Sequence, residues 1–248
     1  MRLFIRIYRN CFYRKGYGIH SPFVFDLITD VIEEDSAFYA YHTFSMIREQ
    51  LLEDDRIIHC KGRKLKVRKA LQQYVISQPE GEFLFRLANY LKPESILAIG
   101  SSMGFAPLYL AKYNSNVQCI TLENEADLAH IADQLLHKES NRSFPVITGS
   151  YRDTIHDSIA HFRQIDCLFL AKEIKDDDSN VIFQQCLPLL HDKSYVVMAG
   201  IRSTSAKFQR WKQLCQHPRV TVAIDLVDLG LLFFNPKLHK KVYKTVLP

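Results

Sequence analysis

From residue 95 onward the chain alternates short apolar runs with helical patterns, and this alternation constrains the fold more than any other feature. The runs fall at 95–99, 117–122, 144–148, 166–170 and 194–199. The first, second and fourth are almost continuously apolar, as parallel strands covered on both faces require. Between them lie helical stripes such as Leu128, Ile131, Ala132, Leu135 and Leu136. Such alternation predicts an open, doubly wound α/β sheet of Rossmann-like form. The end differs. "RVTVAIDLVDLGLLFFN" carries two strand-like runs separated only by Val227–Gly230, too little chain for a parallel crossover. The expectation is seven strands, five parallel and a terminal antiparallel hairpin.

Residues 1–92 read as helices alone. Ser21 is a good N-cap and Pro22 suits the first helical position. Phe23, Leu27 and Val31, with Val24, Ile28 and Ile32, then form an apolar stripe. Further helices are expected around 43–54 and 65–76, and "EGEFLFRLANYL" makes another that Pro93 stops. The chain thus divides into an N-terminal helical extension or lid, 1–79, and a Rossmann-like domain, 80–248.

With 47% hydrophobic and 24% charged residues, the 248-residue chain can bury a sizeable core and is not globally disordered. It has no run of 18 uncharged apolar residues, and its arginine-studded start is not a signal peptide. Six widely spaced cysteines without a C-x-x-C pair fit reduced thiols, and so a cytoplasmic protein. The net charge of +5 is modest. Its densest run, "KGRKLKVRK" at 61–69, reads as a solvated helix start, with a phosphate, nucleic-acid or lipid contact as the alternative. No aromatics interleave it, so nucleic acid is not an expected partner. The first thirteen residues form either a helix packed on the domain or a basic amphipathic helix on a membrane surface.

The stretch "ESILAIGSSMGFAPLYLAKY" is a buried strand, a glycine turn and a helix start. In open α/β sheets ligands bind beyond the carboxyl ends of the strands, near such a turn. Gly100 and Gly104 let the backbone approach a ligand, and the helix behind them offers free N–H groups. A dinucleotide fingerprint would need further glycines where Ser102 and Phe105 stand; the spacing here is G-x-x-x-G. Glu123 ends the second strand and can accept hydrogen bonds from both hydroxyls of a ribose. The competing reading is a structural turn with a helix-capping glutamate.

Strand order, glycine spacing, Glu123 and the terminal hairpin resemble the class I S-adenosylmethionine-dependent methyltransferases, in particular their catechol-type O-methyltransferase branch, over residues 80–234. "RKGYGIHSPFVFDLITDVIEE", "YLKPESILAIG" and "HPRVTVAIDLVDLGLLFF" resemble a Bacteroidetes-type subgroup of that family along nearly the whole chain. The resemblance implies S-adenosylmethionine as cofactor, held by Gly100, Ser101, Ser102 and Gly104. It places Glu123 on the ribose and Gly149-Ser150 near the adenine. A small-molecule methyl acceptor is implied, and a homodimer is a further expectation.

The family pattern breaks at three strand ends. Acids expected two residues before the first glycine and after the fourth and fifth strands are Ala98, Ala171 and Ala199. A catechol-type mechanism uses such carboxylates to hold Mg²⁺. The expectation is therefore metal-independent transfer, or a methyltransferase-like binding protein without activity. Glu173 and Asp176–Asp178 are the only nearby replacement oxygens, and a charged helix start accounts for them more simply. His20, in "GYGIHSP", and Lys172 are the candidate catalytic bases.

Overall fold

The computed structural model describes residues 2–13, 16, 18–139 and 144–248. Its centre is an eight-stranded sheet. The strands are β3 (Ser95–Ile99), β4 (Gln118–Glu123), β5 (Val146–Thr148), β6 (Ile165–Leu170), β7 (Leu190–Ala199), β8 (Val222–Asp225), β9 (Leu229–Phe233) and β10 (Lys241–Lys244). In space they run β10-β8-β9-β7-β6-β3-β4-β5. The five strands β3 to β7 are mutually parallel. β9 lies antiparallel between β7 and β8, so the terminal hairpin is present. Ile96, Leu97, Ala98 and Ile99 are all fully buried, which is why this strand reads as an unbroken apolar run.

The sheet holds one strand more than the seven expected. β10 pairs parallel with β8 at the edge. Its four residues, Lys-Val-Tyr-Lys, carry too little apolar signal to be read as a strand.

A second correction concerns residues 1–92, which are not all helical. β1 (Ile57–Cys60) and β2 (Arg63–Lys66) form a separate antiparallel hairpin. Lys61 and Gly62 turn it with φ of 51° and 70°. Ile58 and Cys60 point inward while Ile57 and His59 stay exposed, the alternation of a half-buried strand. The edge N–H groups of His59 and Lys61 donate to Asp127 Oδ2 at 2.6 Å and Glu125 Oε2 at 2.8 Å. The basic run is therefore mostly hairpin, and helix begins only at Val67. Asp55 pairs with Lys66 and Arg68, each at 3.0 Å.

Helices surround the sheet: α1 (Arg2–Phe12), α2 (Pro22–Leu27), α3 (Tyr39–Leu52), α4 (Val67–Tyr74), α5 (Gln78–Leu91), α6 (Phe105–Ala111), α7 (Ala126–Glu139), α8 (Tyr151–Ile159), α9 (Asp176–Cys186) and α10 (Ser205–Gln216). α2 begins at the Ser21-Pro22 signal and continues as a π-helical turn over Ile28–Ile32. α5 starts in a Ser77/Glu80 capping box and stops at left-handed Lys92, just before Pro93.

α1 packs on the domain through its arginines. Arg9, 4% exposed, donates to Asp225 Oδ1 at 2.7 Å, the Asp225 carbonyl at 2.7 Å and the Thr245 carbonyl at 3.0 Å. Arg202 approaches the same carboxylate from the β7 side at 2.5 and 2.7 Å. All six cysteines are free, five of them buried. Among the described residues no helix is long and apolar enough to cross a membrane.

Candidate functional site

The chain leaves β3 in opposite directions, to β4 and β5 on one side and to β6 and β7 on the other. A crevice beyond the carboxyl end of β3 follows from that topology, and three loops meet there: 100–104, 123–125 and 171–174.

Gly100 turns the chain with φ +82°, and a β-carbon on it would lie 2.4 Å from the Ala171 methyl. Ser102 and Met103 follow in the left-handed region, φ 48° and 56°. Each such non-glycine residue costs about 1–3 kcal/mol and persists only where its surroundings enforce it. Ser102 is buried, and its Oγ finds no hydrogen-bond partner among the described residues. Gly104, φ +90°, admits α7: a β-carbon would come within 3.1 Å of Ala132 and Leu135.

Glu123 closes the crevice from β4 and is 4% exposed. Its Oε2 accepts the Ser101 N–H at 2.9 Å and the Ser101 hydroxyl at 2.6 Å. Oε1 accepts the Asn124 N–H at 3.0 Å, with longer approaches from the Glu125 N–H at 3.3 Å and the Tyr151 hydroxyl at 3.5 Å. Oε2 holds two close donors, and Oε1 one close donor and two long ones, so its long contacts are the ones most easily exchanged. The N–H groups that Glu123 accepts belong to Asn124 and Glu125, which precede α7, so it ties down the β4–α7 turn and bonds no N–H of the helix itself.

Tyr151, at the start of α8, lies over this crevice. It is 5% exposed, and its hydroxyl reaches the Gly100 side of the turn. Burial, then the Glu123 charge, pushes its phenol well above the ordinary 10. Gly149 donates to the Glu123 carbonyl at 3.0 Å, which fixes the 149–150 turn beside β4, while Ser150 is exposed.

On the β6 side, Ala171 donates its N–H to the Ile99 carbonyl at 2.9 Å, bringing Lys172 and Glu173 to the crevice. Glu173 is largely buried, and its Oε1 has no hydrogen-bond partner among the described residues. Desolvation raises its pKa from the ordinary 4.5 to about 7, against the opposing charges of Lys172, Lys61 and Lys207. Lys172 Nζ stands 3.8 Å away. The Lys172 β-carbon sits where a β-carbon on Gly200 would clash, at 2.5 Å, so the ends of β6 and β7 are locked together.

Of the residues named from sequence, Gly100, Ser101, Ser102, Gly104, Glu123, Gly149, Ser150 and Lys172 gather around this crevice. His20 is exposed, before α2, and among the described residues nothing ties it to the crevice. α2 is anchored by Phe23 edge-on to Phe233, which pairs with Tyr195, four residues back along β7 from Ala199. Asp178 pairs with Arg152 at 2.5 Å at the start of α9. Ala98, Ala171 and Ala199 are all buried. Two residues gain a role that the sequence did not assign. Tyr151 had no signal beyond its place after Gly149-Ser150, and Glu173 appeared only as a spare metal ligand.

No family model and no curated protein sequence matches the chain. Solved structures do. An O-methyltransferase from Bacillus cereus, in complex with SAH, superposes with a TM-score of 0.58 at 16% identity, covering 94% of this chain and 100% of that one. An O-methyltransferase from Streptomyces achromogenes involved in tomaymycin synthesis, in complex with SAM, gives 0.55 at 17% identity over 67% of this chain and 89% of that one. An SAH-bound methyltransferase from Podospora anserina gives 0.54 at 13% identity over 81% and 99%. The fold is the one these methyltransferases share. At such identities the likeness extends to the fold and no further.

Proposed function

We propose that this chain is an S-adenosylmethionine-dependent methyltransferase that transfers a methyl group to a small protic acceptor without a metal ion. The observation that supports it most is the turn itself. Two left-handed non-glycine residues and the orphaned Ser102 Oγ are held in a buried crevice beside Glu123. Strain and an unsatisfied hydroxyl kept together at a sheet's switch point suit a ligand that satisfies the hydroxyl.

The residues fit that cofactor with one adjustment. Glu123 Oε1 takes a ribose hydroxyl when the Tyr151 hydroxyl withdraws, and a 3.5 Å contact is cheap to lose. Most N–H groups of the turn are spent within the protein, Gly100 on the Leu122 carbonyl, Ser101 on Glu123, Met103 on Ser101 Oγ and Gly104 on the Ser101 carbonyl. Ser102 Oγ is therefore the group the turn offers the ligand, and Gly149-Ser150 border the adenine side. Bound there, S-adenosylmethionine supplies an electrophilic methyl group and leaves as the neutral thioether.

Glu173 is then the general base. A largely buried carboxylate with a pKa near 7 accepts the acceptor's proton as the new bond forms. Lys172, at 3.8 Å, steadies the carboxylate once it is charged. The strand ends carry alanine where carboxylates would hold Mg²⁺, so in-line positioning bears the catalytic load.

A second reading, a methyltransferase-like binding protein, draws on the same carboxylate, since Glu123 is already satisfied by Ser101, Asn124 and Tyr151. Calorimetric titration with S-adenosylmethionine and S-adenosylhomocysteine, with Mg²⁺ or with excess chelator, separates the two. Binding indifferent to Mg²⁺ is expected. Absence of binding to either compound would leave only the second reading.

A further inference from the structure

α1 is packed inside out. Its domain-facing side carries Arg9, buried on Asp225, and Arg6, joined to Asp228 at 2.7 Å. Its outward side carries Leu3, Phe4, Ile7, Tyr8 and Phe12, exposed by 67%, 77%, 54%, 55% and 65%. Amphipathic helices on globular domains normally bury the apolar stripe and leave the charges in water. Two salt bridges invert that here.

We propose that this face of α1 docks the protein onto an anionic lipid surface. Three features favour lipid over a protein partner. The ridge is a single helix face, whereas a stable protein interface uses a broad complementary patch of ~800 Å² per side. A bilayer accepts such a ridge without a complementary surface, at the depth where aromatic rings reside. The Tyr8 and Phe12 rings lie 5.0 Å apart, and Tyr8 and Tyr13 6.0 Å apart, each pair tilted, an aromatic strip along the helix and just past its end.

The charge pattern agrees. α1 contains no acidic residue, and the sequence sets Arg2 at its start and Arg14-Lys15 just past its end. Beside the ridge runs a groove of about 740 Å³ lined by Tyr8, Tyr13, Arg202, Ser203, Ser205 and Lys244, with no acid among its described lining residues. With Arg202 held on Asp225, Lys244 and the hydroxyls next to an apolar ridge are the groups that match a phosphate headgroup above its acyl chains. The proposal is independent of methyl transfer, since neither α1 nor the groove contributes to the crevice around Glu123.

Co-sedimentation of the full chain with phosphatidylcholine vesicles, with and without phosphatidylglycerol, tests it. The wild type is expected to partition at least tenfold more strongly onto the anionic vesicles, and the preference should shrink in high salt. Phe4→Ser/Phe12→Ser should abolish partitioning while leaving the unfolding midpoint unchanged, because both side chains are exposed. Lys244→Glu should weaken it severalfold. A wild type that stays in solution with anionic vesicles overturns the proposal, as does a double variant that binds as well as wild type. A concentration-dependent dimer that the double variant dissolves, without vesicle binding, assigns the face to a second copy instead.

Discussion

The Tyr151 hydroxyl lies 3.5 Å from Glu123 Oε1, a longer contact than the 3.0 Å Asn124 N–H bond to the same oxygen. A tyrosine hydroxyl and a ribose hydroxyl offer that oxygen the same bond, so they compete for it. Tyr151→Phe removes the competitor and keeps the ring. S-adenosylhomocysteine should then bind roughly two- to threefold more tightly, the low end of a neutral hydrogen bond's net worth. Calorimetry reads this directly, and weaker binding would mean that the hydroxyl helps to hold the ligand.

Glu123→Ala should weaken S-adenosylhomocysteine binding by about 1.5–3 kcal/mol, the range for hydrogen bonds to a charged group. It should also lower stability, because the Ser101 hydroxyl and N–H lose their acceptor in a buried place. Titration well below the unfolding temperature separates the two effects. Unchanged affinity would remove the ribose assignment.

Glu173 makes stability depend on pH. Its folded pKa is raised from the ordinary 4.5 to about 7. Between those values the unfolded chain has released a proton that the folded chain retains, so stability falls as pH rises through this window and levels off above it. The loss is about 3 kcal/mol at most, at 1.36 kcal/mol per unit. Glu173→Gln should therefore be more stable than wild type at pH 8, with the difference vanishing near pH 4. Denaturant titrations at both pH values check this. The same substitution should abolish methyl transfer while leaving S-adenosylhomocysteine affinity unchanged.

Asp225 behaves in the opposite sense. Burial alone would raise its pKa, but hydrogen bonds from Arg202 and Arg9 outweigh it and hold the carboxyl below the ordinary 3.8. Its contribution is present above that value and is lost as pH falls through the lower, folded one. Asp225→Ala leaves Arg9 and Arg202 without their shared acceptor and should cost about 3–5 kcal/mol. Thermal unfolding at pH 7 measures it; a change within experimental error would show that solvent replaces the carboxylate.

What the sequence made legible follows from where the signal resides. β3, β4 and β6 announce themselves because strands covered on both faces must be apolar throughout. Gly100 and Glu123 stand out because turn geometry and a strand-end acid are local features. β2 was hidden, since Arg63-Lys64-Leu65-Lys66 is largely exposed and its hairpin is held by Asp127 and Glu125, more than sixty residues away. The inversion of α1 was hidden for the same reason: Asp225 and Asp228 decide which face turns inward. The burial of Glu173 was hidden because it comes from tertiary packing, which no local pattern records.

Arg9 reaches both Asp225 and Thr245, sequence separations of 216 and 236 residues. Contacts across so long a stretch close the largest loops in the molecule, and they gain nothing until the strands between are in place. α1 should accordingly be the last element to dock during folding and the first to detach when stability wanes. Because one guanidinium also holds the carbonyl of Thr245, the residue directly after β10, release of the helix would loosen the outer edge of the sheet with it.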